Sequence, residues 1–197
     1  MTDRTARPLV VVAAFAASLA IGLMATLWLL GGFSGATAPA TIGGPFQLSD
    51  QSGEAVTEKN LQGKPTLIFF GFTHCPDVCP TSLFEISEVL RAMGPDVDKV
   101  NAYFVSVDPE RDTPAAMKDY LSSFDPHLKG LTGSPDAVAK VIASYRVYAK
   151  KVPLKDGDYT MDHTALIYLM DRNGRFVAPF NMKRKPEEAA ADLKRYI

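Results

Sequence analysis

Thr66-Leu67-Ile68-Phe69-Phe70-Gly71-Phe72 leads directly into Thr73-His74-Cys75-Pro76-Asp77-Val78-Cys79-Pro80. The first seven residues are an almost unbroken apolar run, as a central strand covered on both faces requires. The next eight form a short loop holding Cys75 and Cys79, the only cysteines in the chain. Pro80 suits the first turn of a helix, which predicts Cys79 as the N-cap. Leu83, Ile86, Leu90 and Met93 then recur at helical spacing, and Gly94-Pro95 ends the run. A buried strand therefore delivers two neighbouring thiols to the start of a helix.

Flanking segments extend this pattern. Phe46-Gln47-Leu48 and Ala55-Val56-Thr57 bracket Asp50-Gln51-Ser52-Gly53, which predicts a hairpin. Asn101 to Val107 reads as a second buried strand. Thr113-Pro114 opens a helix carrying Met117, Tyr120, Leu121 and Phe124. Ser134-Pro135 opens another, with Val138, Val141, Ile142 and Tyr145. Thr164 to Met170 predicts a strand, Asn173-Gly174 a turn, and Phe176-Val177-Ala178 the return strand. Pro186 opens a last helix. The order β-α-β-α-(α)-β-β-α is that of an α/β sandwich. With the cysteine pair at the end of the first central strand, the expected fold is thioredoxin-like around a central mixed sheet.

The N-terminus has a different character. Leu9 to Leu30 is uncharged and mainly apolar. At about 1.5 Å per helical residue it is long enough to cross a hydrocarbon core of about 30 Å. Arg4 and Arg7 precede it, which favours a cytoplasmic N-terminus. A cleaved signal peptide is the competing reading, with Ala36-Thr37-Ala38 as its cleavage site, but the run exceeds an h-region of about 7–15 residues. The expected organisation is a cytoplasmic N-terminus (1–8), a transmembrane signal anchor (9–30), a Gly-, Ala-, Pro- and Thr-rich tether (31–44), and one folded domain (45–197). A single-pass protein of the inner membrane follows, with its soluble domain in the periplasm. The 21 basic and 22 acidic residues nearly cancel, so no basic face points to nucleic acid.

Export constrains the thiols, because an unprotected pair tends to oxidise there. Cys75 and Cys79 can share a metal ion or act as a redox pair, and these uses compete. A helix N-terminus favours the thiolate that either use requires. Thioredoxin-type oxidoreductases have two residues between their cysteines, whereas this loop has three, which leaves room for an ion. His163, in Tyr159-Thr160-Met161-Asp162-His163-Thr164, precedes a predicted core strand at a position expected to face the cysteine loop. Redox members of the fold normally carry a cis-proline there. Two thiolates and one imidazole suit Cu(I), and hold Cu(II) with a further weak ligand. Zinc would prefer a fourth protein ligand or an open water position.

Other polar residues receive lesser roles. His74 diverges from Cys75 and is read as a solvent or outer group, and His127 as surface. Asp77 lies inside the loop and is a minor candidate to tune the thiolates or to touch copper. Asp108 reads as a turn-former before Pro109, with lining of the site edge as the alternative. Arg111 and Asp112 are expected to stabilise their own loop, with a partner-facing role as the alternative. Asp162 is a candidate to orient His163 by a hydrogen bond. Met161 and Met170 are assigned to core packing.

Phe70 to Pro80, then Val107-Asp108-Pro109-Glu110-Arg111-Asp112-Thr113-Pro114, then Asp162 to Asp171 together resemble the Sco/SenC family. The resemblance spans about residue 43 to the end. It implies a copper-binding, thioredoxin-like protein that assists assembly of the CuA centre of cytochrome c oxidase, with Cys75, Cys79 and His163 as copper ligands. The implied partners are the apo CuA-bearing oxidase subunit and an upstream periplasmic copper donor. The enzymatic alternative is a thiol–disulfide oxidoreductase in which Cys75 and Cys79 reduce the CuA-site cysteines. No Pro-x-x-x-Thr/Ser-x-x-Cys pattern supports a peroxidase. A purely structural disulfide would close too short a loop to stabilise the fold.

Overall fold

The structure, a computed structural model, describes residues 6–31, 41–155 and 157–197. They fall into two units, Met1–Ala40 and Thr41–Ile197. In the first, α1 (Ala6–Gly31) is a single helix. Its Val10–Trp28 segment is long and apolar enough to cross a membrane. Phe15, Leu19, Leu23 and Trp28 are all exposed. A helix that is apolar all round needs an apolar medium to cover it. Arg4, the Ala36-Thr37-Ala38 site and most of the expected tether lie outside the described residues.

The second unit is built on a mixed seven-stranded sheet. Its strands are β1 (Gln47–Asp50), β2 (Ala55–Thr57), β3 (Thr66–Gly71), β4 (Asn101–Ser106), β5 (Leu128–Thr132), β8 (Ile167–Met170) and β9 (Phe176–Pro179). They are ordered β2-β1-β5-β4-β3-β8-β9. Strands β3, β4 and β5 run parallel, and β8 joins β3 antiparallel, with Phe69 opposite Ile167. The helices are α2 (Val78–Met93), α3 (Pro114–Leu121), α4 (Pro135–Ser144) and α5 (Pro186–Lys194). This is the expected thioredoxin-like architecture, with a central mixed sheet.

Side-chain alternation divides the core between the two sheet faces. Phe69 stacks on Phe104 at 6.0 Å, and Phe104 meets Tyr120 of α3 on the same face. Phe70 points the other way, against Tyr145 at the end of α4 and Tyr168. All six residues of β3 are buried. In α2, Leu83, Ile86, Leu90 and Met93 are buried as their spacing predicts. Thr113 and Ser134 cap α3 and α4, accepting bonds from Ala116 N and Ala137 N.

Several expectations need correction. Asp77, not Cys79, is the N-cap of α2, and it makes no side-chain cap bond. Cys79 therefore sits inside the first turn. The helical run does end at Gly94-Pro95 as expected, with Gly94 as the C-cap at φ +58°, and the chain goes on as a 3-10 turn (Gly94–Lys99). The strand expected from Thr164 starts at Ile167. Strand β5 was not anticipated, nor was the hairpin of β6 (Ala149–Pro153) and β7 (Tyr159–His163), which forms a sheet of its own.

Candidate metal centre

Three elements converge at the carboxyl end of β3. The strand ends at Gly71, the loop carries Cys75, the first turn of α2 carries Cys79, and β7 ends on His163. The Nε2 of His163 lies 3.6 Å from the Cys79 sulfur, and the backbone N–H of Cys79 donates to the Cys75 sulfur at 3.4 Å. The two sulfurs and one imidazole nitrogen all fall within 4.8 Å of one another. Ligands about 2.0–2.3 Å from one ion lie at most about 4.6 Å apart. The group therefore fits a single soft cation with small side-chain adjustment.

Position explains this convergence. Cys79 is fully buried and Cys75 is partly exposed. Gly71 makes the space: a Cβ there would come within 2.7 Å of the Cys79 sulfur and of the Phe104 ring. Gly71→Ala is expected to destabilise the domain by about 1–3 kcal/mol through overpacking. Thermal unfolding checks this, and an unchanged melting temperature would show that the wall yields.

His163 is set by apolar neighbours. Its ring meets Phe72 edge-on at 5.7 Å and Phe69 at 6.3 Å. Its Nδ1 lies 3.1 Å from the Thr164 carbonyl, which fixes Nδ1 as the N–H and leaves Nε2 to face the sulfurs. That carbonyl takes the orienting role expected of Asp162. Asp162 is exposed on the opposite side of β7, because successive strand residues alternate faces.

Burial pushes the Cys79 thiol far above the ordinary thiol range, and the nearby Cys75 and Asp112 add to this, against a backbone bond from Phe72. The thiolate-favouring effect expected of the helix N-terminus is thus outweighed, and an ion would have to displace the thiol proton. Alkylation by iodoacetamide should accordingly label Cys75 at least about ten times faster than Cys79, since burial denies Cys79 both access and the thiolate form. Peptide mapping of the metal-free protein measures this; equal labelling rates would contradict the burial of Cys79.

Asp112 does more than brace its own loop. It is fully buried and accepts bonds from Thr73 N, Thr73 Oγ1 (2.6 Å) and Ser106 Oγ (2.6 Å). It thereby ties the start of the cysteine loop to the end of β4. Burial raises its carboxyl above the usual range, and the Ser106 and Thr73 bonds oppose the rise. Asp108 is also buried, receiving Arg111 Nε at 2.5 Å and Tyr159 Oη at 2.9 Å. Nothing in the sequence singled out Tyr159.

The remaining candidates lie outside the group. His74 is exposed, with Nδ1 3.0 Å from Thr73 Oγ1, and Asp77 is exposed in the loop. His127 is exposed beside Asp125. Met170 is fully buried in the core, and Met161 packs against it.

Comparison with known proteins follows the same lines. A family model described as SCO1/SenC matches residues 34–197. Protein SCO1 homolog 1, mitochondrial, of Arabidopsis thaliana is 49% identical over 142 residues, covering 70% of this chain and 42% of that protein. The SCO2-like protein of Rickettsia conorii is 40% identical over 155 residues, covering 78% of this chain and 76% of that protein. The chain thus spans less than half of the plant relative and about three quarters of the bacterial one. Among solved structures, that of Bradyrhizobium japonicum ScoI with copper bound is 83% identical, with a TM-score of 0.78. The match covers 79% of this chain and 99% of that one.

Proposed function

This chain belongs to the SCO1/SenC family, and we propose that it is a membrane-anchored chaperone delivering copper to the CuA centre of cytochrome c oxidase during its assembly. One observation carries the reading: two thiols and an imidazole, from three separate elements, meet within 4.8 Å. That donor set is soft and, among the described residues, lacks the fourth protein ligand of a structural zinc site. Copper is held by a solved relative that is 83% identical.

Copper is cargo here. Cys75, Cys79 and His163 would hold it, and three donors leave room for an incoming ligand from the client. Cys75, the partly exposed thiol of the set, is the natural point of exchange. Transfer then proceeds one ligand at a time, with copper never free in solution. Residues 9–30 would anchor the chain in the inner membrane and 31–44 would tether the domain (45–197) on the periplasmic side. The apo CuA-bearing subunit is the client, and a periplasmic copper donor acts upstream.

A second reading is favoured by one feature: Cys75 is accessible, with Cys79 buried behind it. Attack through the outer thiol and resolution by the inner one is the order disulfide exchange requires. In this reading the pair reduces the client's CuA cysteines. His163 separates the two. His163→Ala removes a ligand outright and is expected to weaken copper binding by more than the about tenfold to a hundredfold that loss of an outer partner costs, while exchange with a small disulfide persists. Competition titration with a copper-specific chelator makes the measurement. Full-strength binding by the variant, with lost exchange, would reverse the assignment.

A further inference from the structure

The hairpin carrying His163 stands apart from the main sheet, since β6 and β7 pair only with each other. Register puts Tyr159, Met161 and His163 on one face, with Lys151 opposite Met161 on the same side. At one end of that face His163 meets Cys79; in the middle Met161 packs on the core. The other end, about 13 Å along the strand at about 3.3 Å per residue, is Tyr159.

Tyr159 is gripped on both sides of its ring. The Arg111 guanidinium lies 3.8 Å from the ring centroid and Lys151 Nζ lies 3.7 Å from it. Arg111 Nη1 donates to the Tyr159 carbonyl at 3.0 Å, and its Nε donates to Asp108. The Tyr159 hydroxyl donates to the same Asp108, closing a ring of contacts around a buried carboxylate. Lys151 is held in turn by Glu110 at 2.7 Å. Arg111 also lies 5.9 Å from the Phe72 ring, which touches His163 edge-on. Packing therefore runs unbroken from the guanidinium to the imidazole.

We propose that the Arg111–Tyr159–Lys151 stack, closed by Asp108, is a latch that positions His163 against the two thiols. Arg111 and Tyr159 are positioning residues and do not touch the ion. The planar guanidinium is needed because it stacks and donates in two directions at once, which an ammonium does not do. Opening the latch frees the hairpin as a lever, withdraws the imidazole and leaves the cysteine pair in place. This inference rests on the copper reading above and adds a control point to it.

Arg111→Lys and Tyr159→Phe test it in the full chain. In the metal-free protein, Arg111→Lys should raise hydrogen exchange of the β6 and β7 amides about tenfold while β3 stays protected. Tyr159→Phe keeps the stack but loses the Asp108 bond, so its effect should be in the same segment and smaller. With Cu(I) as probe, Arg111→Lys should weaken binding about tenfold to a hundredfold. The same change made in a His163→Ala background should have no further effect. Equal losses in both backgrounds, or exchange rising uniformly through the domain, would overturn the latch. Should Arg111→Lys fail to fold, Tyr159→Phe decides by the same two readings. Copper binding indifferent to His163→Ala would instead defeat the copper assignment, and the exchange pattern would still judge the latch.

Discussion

Cys79→Ser removes stoichiometric copper binding. The loss should be larger than for any other single change, for two reasons. Cys79 is the one fully buried member of the group and the one that both other donors approach, through His163 Nε2 at 3.6 Å and its own N–H to Cys75 at 3.4 Å. A hydroxyl in its place is a hard donor that does not ionise near neutral pH, so the site loses a soft ligand and the ion loses its centre. The fold should persist, because serine is smaller than cysteine and the neighbouring Gly71 and Phe104 need not move. Metal analysis after dialysis measures the outcome. Retention of one copper per chain by a folded Cys79→Ser protein would contradict it.

The second large effect is on stability. Asp112→Ala removes the acceptor shared by Thr73 N, Thr73 Oγ1 and Ser106 Oγ. Leaving the buried Ser106 donor unpaired costs about 1–3 kcal/mol, and the half-buried Thr73 donors add smaller amounts. The sum, discounted for relaxation and entry of water, is about 3 kcal/mol, or a fall in melting temperature of about 6–12 °C. Asp112→Asn should be much milder, since the amide oxygen still accepts from Thr73 and its NH2 can donate to Ser106. Burial already favours the neutral form of this carboxyl. With the folded-state pKa raised above the unfolded one, its contribution to stability is greatest below the unfolded pKa and declines as pH rises through the folded value. Asp112→Asn should therefore flatten the stability profile in the carboxyl range, as measured by denaturant unfolding at several pH values. An Asp112→Ala protein as stable as the parent would show that the buried bonds are made good by water.

The contrast between these two residues shows where the sequence was readable. Cys75 and Cys79 announce themselves by type and spacing, and β3 and α2 around them follow from an apolar run and a helical period. Thr113 and Ser134 mark helix starts because a capping oxygen before proline is a local signal. Asp112 carries no such mark: its partner Thr73 lies 39 residues away, and only the parallel pairing of β3 with β4 brings them together. Strand β5 is Leu-Lys-Gly-Leu-Thr, and its central glycine resembles a loop residue. The structure gives the reason for it, since a Cβ at Gly130 would come within 2.7 Å of Leu121 and 2.8 Å of Met117 beneath α3. Strands β6 and β7 were missed because charged and polar residues break their apolar alternation, and a single face with Tyr159, Met161 and His163 does the packing. The N-cap was misplaced because a backbone turn at Asp77, with no side-chain bond, leaves nothing in the sequence to read.

His163 was accessible through its expected place in the fold and through the motif Asp162 to Asp171, which carries the family resemblance. The hairpin that presents it, β6 with β7, follows no local pattern. Tyr159 and Arg111 lie one step further away, since they act on the site through contacts that cross three segments.

X-ray absorption at the copper edge of the loaded full-length protein tests the central assignment most directly. Two sulfur scatterers and one imidazole nitrogen are expected, with the imidazole signal lost in His163→Ala. A first shell of sulfur alone, or of nitrogen and oxygen alone, unchanged by that substitution, would contradict it.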